Sequence, residues 1–599
     1  MVRRRWPVVV TLAVAALAGA GCHREPAAGP SRAARAEAVA IRLEPPGGPA
    51  PMLGDGHGTK LSAIRADVPS TLSWRVDVPA GARITTELVL DPTKLDDPGG
   101  VPCRARVESA PEHGDAVLLA EGEVHPGRPW HVLSADVSPR ASHAAELRLF
   151  VSCPGGGGAG AARWRIPEVY QPSSGPNVVL VTVDTLRADH LGCYGYPRPT
   201  SPAIDRLAAR GLLFRHAESV QSATWPAITS LHTSLYPSAH GVVWNGWQPR
   251  EGITTLAELL RARGFATSAF VTNMLRARHP GFSRVHLARA ATQAEQDRRA
   301  TDAAIAHLDQ VRDRRFLLWL HLLSPHADYA PPPPHDAAFA RGGPSRLDGT
   351  MTQLVALRER GERIDEKDVA RIVDLYDGEV AFADEQVGRL LEALRERGLE
   401  RSTLVVFTAD HGEDLHQHNA YFFHSPSMYS SSLAVPLVLS WPGVLPEGEA
   451  SDHPASLVDV APTVLSLLGL PVPSFFQGHA LLEGGRVPRE AARRVAFSET
   501  SGRVFGARTP EWRLVYNPER LHPDAPGGPY PIGELELYDL RSDPSEQRDV
   551  ARERRDVAER LTADVQAWRA RHAGANGPAR QPVDAATREE LRSLGYVVP

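Results

Sequence analysis

Several things are scarce in this sequence, and each scarcity narrows what it can be. Four cysteines stand in 599 residues, and no pair has a metal-ligand spacing, which excludes a cysteine-held zinc site. Neither sign of charge dominates: 66 Lys and Arg face 71 Asp and Glu, a net of −5. No nucleic acid partner is expected, because a phosphate backbone needs clustered basic residues. An acidic substrate stays open, since a local metal ion can outweigh the global charge. There is no repeat of solenoid period, and beyond the amino terminus no stretch is long and apolar enough to span a membrane.

The amino terminus carries its own signal. Arg3, Arg4 and Arg5 precede an apolar run from Trp6 to about Leu17, then Ala18-Gly19-Ala20-Gly21 and Cys22. A basic region, an apolar core and small residues read as an export signal over 1–22. A Cys directly behind the small residues resembles a bacterial lipoprotein signal. Lipid on Cys22 would anchor the protein to a membrane, facing the periplasm or the cell surface, without spanning it. Gly19 replaces the usual Leu of such signals, so simple cleavage is the alternative. Export permits disulfides; Cys103 and Cys153 could pair, leaving Cys193 as a buried thiol.

Residues 23–45, rich in Ala, Pro, Arg and Gly, read as a tether. Over 46–172 the segments LSWRVDVP, ITTELVLD and AELRLFVSC alternate between turn residues and predict a β-sandwich. Such a domain either binds carbohydrate or serves as packing and spacing. At Asn177 the texture changes. NVVLVTVD is a continuous apolar run of the buried parallel kind. Helical patterns at Ser201–Arg210, Thr224–Ser234 and Thr255–Arg263 alternate with strands at Ala266–Val271, Phe316–His321 and Leu404–Thr408, and a long amphipathic helix is read from Ile372 to Arg397. This predicts an α/β catalytic domain over 175–486, a mostly parallel sheet between helices. VAFSET, EWRLVYN, ELELYDL and a charged helix near Val550–Arg571 predict a small α+β subdomain over 487–575, followed by a tail, 576–599.

Open parallel sheets hold ligands at the carboxyl ends of their strands. Asp184 ends NVVLVTVD, Asp410 and His411 follow LVVFTAD, and Ser324-Pro325-His326 follow FLLWLHLL. Asp184, Asp410 and His411 can supply oxygen and nitrogen ligands to one divalent cation, Mn2+, Ca2+, Mg2+ or Zn2+. In SATWPAITSLHTSLYP, Pro226 belongs in the first turn of a helix. Thr224 then sits at or beside the N-cap, where the dipole favours an anion. Metal coordination would lower its pKa and make it a nucleophile; a plain N-cap is the alternative. His326, His418 and His424 could line the anion pocket or protonate a leaving oxygen. Arg187 is either a structural salt-bridge donor or a contact to the anion. Glu413 and Asp414 are expected to favour a helix start, and His416 to be solvated.

VDTLRADHLGCYGYPRPTSPAIDRLAARGLLF resembles the amino-terminal signature of the sulfatase family, within the alkaline-phosphatase superfamily. SPHADYAPP, YDGEVAFADEQVGRLL, TADHGEDLHQH, HSPSMYSSSLAVPLVLSWPG and ELYDLRSDPSE follow the family order, from about Asn177 to Asp549. The resemblance implies an alkaline-phosphatase-like fold, metal ligands Asp184, Asp410 and His411, a nucleophile at Thr224, and substrate contacts from His326 and His424. Three departures stand out. The usual Asp-Asp pair is Asp184-Thr185. The Cys/Ser-x-Pro-x-Arg motif is Thr224-Trp225-Pro226-Ala227-Ile228, so no formylglycine is expected. The Gly-Lys-x-His segment is missing, and Asn273 lies in roughly its place as a candidate substrate contact. The expected partner is an anionic ester, a sulfated or phosphorylated glycan, lipid or small molecule, with phosphoryl chemistry favoured. The rivals are an inactive glycan- or anion-binding lipoprotein and a sulfatase that uses unmodified Thr.

Overall fold

A computed structural model of the protein describes residues 40–42, 52–54, 59–96, 101–111, 115–137, 143–272, 281–340, 345–419, 421–424, 426–488, 494–520 and 533–572. The export signal with Cys22, most of the tether, Asn273 and the final tail lie outside the described residues.

A 15-stranded mixed sheet runs through the molecule. At its centre Asn177–Val183 pairs in parallel with Phe316–Leu322 on one side and Thr403–Ala409 on the other. Every residue of these three strands is buried, which is why they read as unbroken apolar runs. Ala266–Val271 and Arg284–Leu287 continue the parallel order outward, and Leu437–Ser440 adds an antiparallel strand beyond Thr403–Ala409. The helices Pro202–Ala209, Gln293–Val311 and Glu366–Glu396 contribute Ile204, Leu308 and Leu390 to the same core as Leu180, Leu318 and Val406. The long helix starts earlier than its apolar stripe, because Asp365 caps it by accepting from the backbone N–H of Asp368.

The amino-terminal part is a sandwich, but not a detached one. Its second sheet has the order Ser70–Val78, His143–Ser152, Cys103–Pro111, Val117–Val124, and Trp74, Ile84, Leu147 and Trp164 fill the space between its layers. Its first sheet joins the catalytic one: Thr59–Ala66 pairs antiparallel with the short strand Arg284–Leu287. That strand would otherwise present an open edge of N–H and C=O groups. Cys103 and Cys153 are bridged across a separation of 50 residues. Cys193, expected as a buried thiol, is only partly buried; burial and Asp205 push its thiol up to about 12.

The carboxy-terminal subdomain is a four-stranded antiparallel sheet, with the helix Arg555–His572 contributing to its core. The strand Val504–Arg508, centred on Gly506, was not evident in the sequence. Buried pairs from Glu218 to Arg508 (2.7 Å) and to Arg513 (2.5 Å) fasten this subdomain to the catalytic one.

Candidate metal and anion site

Asp184 leaves the central strand into a turn of unusual geometry. Thr185 has φ 56°, the left-handed region that a β-branched residue rarely enters. Tyr376 holds it there, donating to Thr185 O at 2.7 Å while accepting from Arg187 N at 2.9 Å. The Thr185 N–H is thereby turned toward Asp410 Oδ1, at 3.3 Å. Asp410 Oδ1 also accepts from the N–H of His411, at 2.8 Å. The two strand ends are tied together through backbone groups, and the remaining carboxylate oxygens stay uncommitted.

Those oxygens are fully buried. Asp184 Oδ1, Asp184 Oδ2 and Asp410 Oδ2 have no hydrogen-bond partner among the described residues. Burial, followed by the charge of Asp410, pushes the Asp184 carboxyl up to about 8. His411 Nδ1 lies 2.9 Å from the Gly412 carbonyl, so that nitrogen carries the proton and Nε2 presents a bare lone pair. His411 Nε2 stands 3.7 Å from Asp184 Oδ1, 3.5 Å from Asp410 Oδ2 and 3.3 Å from Thr224 Oγ1. One atom from each of Asp184, Asp410 and His411 falls within 4.8 Å of the others. Two buried carboxylates with orphaned oxygens, beside an unprotonated ring nitrogen, fit a divalent cation.

Thr224 is the first residue of the helix Thr224–Thr233, with Ala223 as N-cap. The helix tip is less open to anions than expected. Asn245 Oδ1 takes the Trp225 N–H at 2.9 Å, and Pro226 has none. Instead Asn245 offers its own amide: the residue is 1% exposed and Nδ2 has no hydrogen-bond partner among the described residues.

His326 and His424 join the cluster. Their rings lie 5.4 Å apart, and His424 is 4.4 Å from the His411 ring. Asp297 positions the His326 loop by accepting from the N–H groups of Leu323 (2.8 Å) and Ser324 (2.9 Å). Burial holds both histidines below the usual imidazole range, His424 at about 4. Glu413, expected at a helix start, is instead the carboxyl behind His424, with Nδ1 to Oε1 3.1 Å. Burial pushes Glu413 up to about 8, and the chain at this point is a loop.

Other candidates are placed elsewhere. His418 stacks on Tyr429 at 3.6 Å, with Asp414, Glu546 and Asp543 as its charged surroundings, rather than on the three clustered histidines. An aromatic face and the carboxy-terminal subdomain claim it. Arg187 is consumed structurally: its Nε and Nη2 go to Asp189 (2.9 and 2.7 Å), and Nη1 to Glu413 O and Gln417 Oε1, both at 3.0 Å. It braces the loop after His411 and has no arm left for an anion. Asn273 cannot be placed, lying outside the described residues. Sequence reasoning missed Asn245 and His321. The second had a signal, as the one ionisable side chain inside the apolar run FLLWLHLL.

A large mixed sheet between helices, followed by a small carboxy-terminal sheet, is the fold of the alkaline-phosphatase-like hydrolases of sulfuric or phosphoric esters. The Sulfatase family model matches residues 176–470, and that of the N-sulphoglucosamine sulphohydrolase carboxy-terminal region matches 418–571. The catalytic and carboxy-terminal parts of the chain belong to the sulfatase family. N-acetylglucosamine-6-O-sulfatase of Bacteroides thetaiotaomicron is 24% identical over 474 residues, covering 63% of this chain and 82% of that protein. Arylsulfatase K of Rattus norvegicus is 25% identical over 449 residues, covering 64% and 76%. Among solved structures, the phosphonate monoester hydrolase of Agrobacterium radiobacter aligns with TM-score 0.54 and 23% identity, covering 68% of this chain and all (100%) of that one. A protein in complex with its substrate D-glucosamine-2-N,6-O-disulfate gives TM-score 0.54 and 20% identity, with the same coverage of 68% and 100%.

Proposed function

We propose that the protein is an exported, metal-dependent esterase or transferase in which Thr224 is the nucleophile and phosphate esters are the substrates. The observation that carries this is the threonine hydroxyl 3.3 Å from the bare nitrogen of the Asp184–Asp410–His411 group. A divalent cation bound there would lower the pKa of that hydroxyl and offset charge on the ester oxygens.

Thr224 enters as the alkoxide, having lost its proton to solvent, and forms a bond to phosphorus. The bond to the leaving alcohol breaks, and that oxygen takes a proton from His424 or His326, which carries it once an anion fills the pocket. Asn245 Nδ2 is available to donate to a phosphoryl oxygen. Water or a second alcohol then attacks the phosphothreonine, a histidine takes the proton, and the bond to Thr224 breaks. Sulfate chemistry lacks this exit. Formylglycine hydrate expels sulfate by breaking its own C–O bond, whereas a sulfated threonine has no second hydroxyl and would be trapped. The occurrence of phosphonate monoester hydrolases among proteins of this fold supports the reading, and sulfated-sugar relatives support an anionic glycan or lipid as the ester's carrier. Lipid on Cys22 would hold the enzyme at a membrane, and the Cys103–Cys153 bridge suits an oxidising compartment.

The test is turnover of aryl phosphate, phosphodiester, phosphonate monoester and aryl sulfate with added Mn2+, Ca2+, Mg2+ or Zn2+. Thr224→Ala should lower phosphoryl turnover by ~10^4-fold or more, and mass spectrometry should find phosphate on Thr224 with a slow substrate. Undiminished activity in Thr224→Ala ends the nucleophile assignment. Sulfate release that needs Thr224 would favour the sulfatase alternative, and glycan binding without any turnover the binding-protein one.

A further inference from the structure

One buried histidine outside the ligand set is wired to it. His321 and Thr182 are register partners on adjacent parallel strands, and Asp184 lies two residues beyond Thr182, on the same face of the sheet. Trp319 Nε1 lies 2.9 Å from Thr182 Oγ1, and Thr182 Oγ1 lies 2.8 Å from His321 Nδ1. His321 Nε2 stands 3.7 Å from Asp184 Oδ2 and has no hydrogen-bond partner among the described residues. All four side chains are fully buried.

The direction of these bonds follows from donor chemistry. An indole N–H only donates, so Thr182 accepts from Trp319. The threonine hydroxyl still has one proton to place in a strand where an unpaired donor is expensive. Its remaining hydrogen-bond partner among the described residues is His321 Nδ1, which must therefore accept. The imidazole then carries its proton on Nε2, facing Asp184 Oδ2.

We propose that Thr182 and Trp319 fix His321 as its Nε2–H tautomer, which turns a protonated nitrogen toward Asp184 and withholds it as a second nitrogen ligand. The consequence is metal selectivity. With His321 withheld, the cradle offers one imidazole and otherwise oxygen, a set suited to Ca2+, Mg2+ or Mn2+; a second imidazole would shift preference toward Zn2+. This rests on a cation occupying the site as proposed above.

The experiment uses the full-length protein stripped of metal, with Ca2+ and Zn2+ dissociation constants measured by chelator competition. Thr182→Val frees the imidazole to change tautomer, and its preference for Zn2+ over Ca2+ should rise by ~10-fold or more. Thr182→Ser keeps the hydroxyl and should keep the wild-type ratio. His321→Phe should weaken both ions by ~10–100-fold, as loss of a partner to a ligand does. The double variant Thr182→Val/His321→Phe should show no Zn2+ gain, and Co2+ absorption should report an added nitrogen only in Thr182→Val. Melting curves of the metal-free variants check folding, and Thr182→Ala makes the same prediction if Val is not accommodated. An unchanged Zn2+/Ca2+ ratio in a folded Thr182→Val or Thr182→Ala protein, or unchanged affinity in His321→Phe, overturns the tautomer assignment alone. A wild-type protein that binds no divalent ion overturns the metal reading itself.

Discussion

Two groups of buried carboxylates in this protein are treated in opposite ways. Where the sandwich meets the catalytic sheet, Glu87 is 2% exposed and accepts from Arg165 at 3.0 Å and Arg284 at 2.6 Å. Glu168 beside it, half-buried, accepts from Arg165 and Arg314, both at 2.9 Å. At the carboxyl edge of the same sheet, Asp184 and Asp410 are equally buried, and their outward oxygens have no hydrogen-bond partner among the described residues. Burial is the same and compensation differs. A charge that the protein itself balances holds parts together, while one left unbalanced is poised for something from outside.

Neutralising either group should expose the difference, most strongly at the cradle. Asp184→Asn should lower divalent-ion affinity by ~100-fold or more. The same change should leave the metal-free protein more stable by ~1–3 kcal/mol, because an uncompensated buried carboxylate disappears. Calorimetry of binding and denaturant unfolding measure the two effects, and a loss of stability without metal would contradict the assignment. Glu87→Ala should behave the other way. It leaves the buried Arg284 without its carboxylate, takes from Arg165 one of its two, and should cost about 3–5 kcal/mol, with metal affinity unchanged in the protein that still folds. A change in metal affinity there would break the separation between the two regions.

The sequence carried these two regions unequally. The ligand edge was legible because Asp184, Asp410 and His411 end apolar runs, and a polar residue at the end of a buried parallel strand stands out. The junction was not. The pairing of Thr59–Ala66 with Arg284–Leu287 is made by backbone groups more than 200 residues apart, and no side-chain pattern encodes it. Loop residues were the least legible. His418 and His424 look alike in sequence, yet one stacks on Tyr429 and the other backs onto Glu413. Arg187 read as a salt-bridge donor or as an anion contact, and its guanidinium goes to Asp189, two residues on.

A smaller effect sharpens the comparison from between its extremes. Glu379, on the helix Glu366–Glu396, is 1% exposed and takes a backbone N–H from Ala330, at 3.0 Å, where Glu87 takes two arginines. One amide compensates less than a cation does, and burial pushes this carboxyl up to about 8. The folded protein therefore binds a proton there that the unfolded chain, titrating near 4.5, has already released. Stability from this group is fully present below the unfolded pKa and is lost as pH rises through the folded one. Glu379→Gln keeps the shape and removes the titration. Its unfolding free energy should fall less steeply than that of the wild type between pH 5 and 8, by at most ~1.4 kcal/mol per pH unit. Parallel curves for the two proteins would mean that Glu379 is compensated as completely as Glu87, and partial compensation would no longer separate structural from poised carboxylates here.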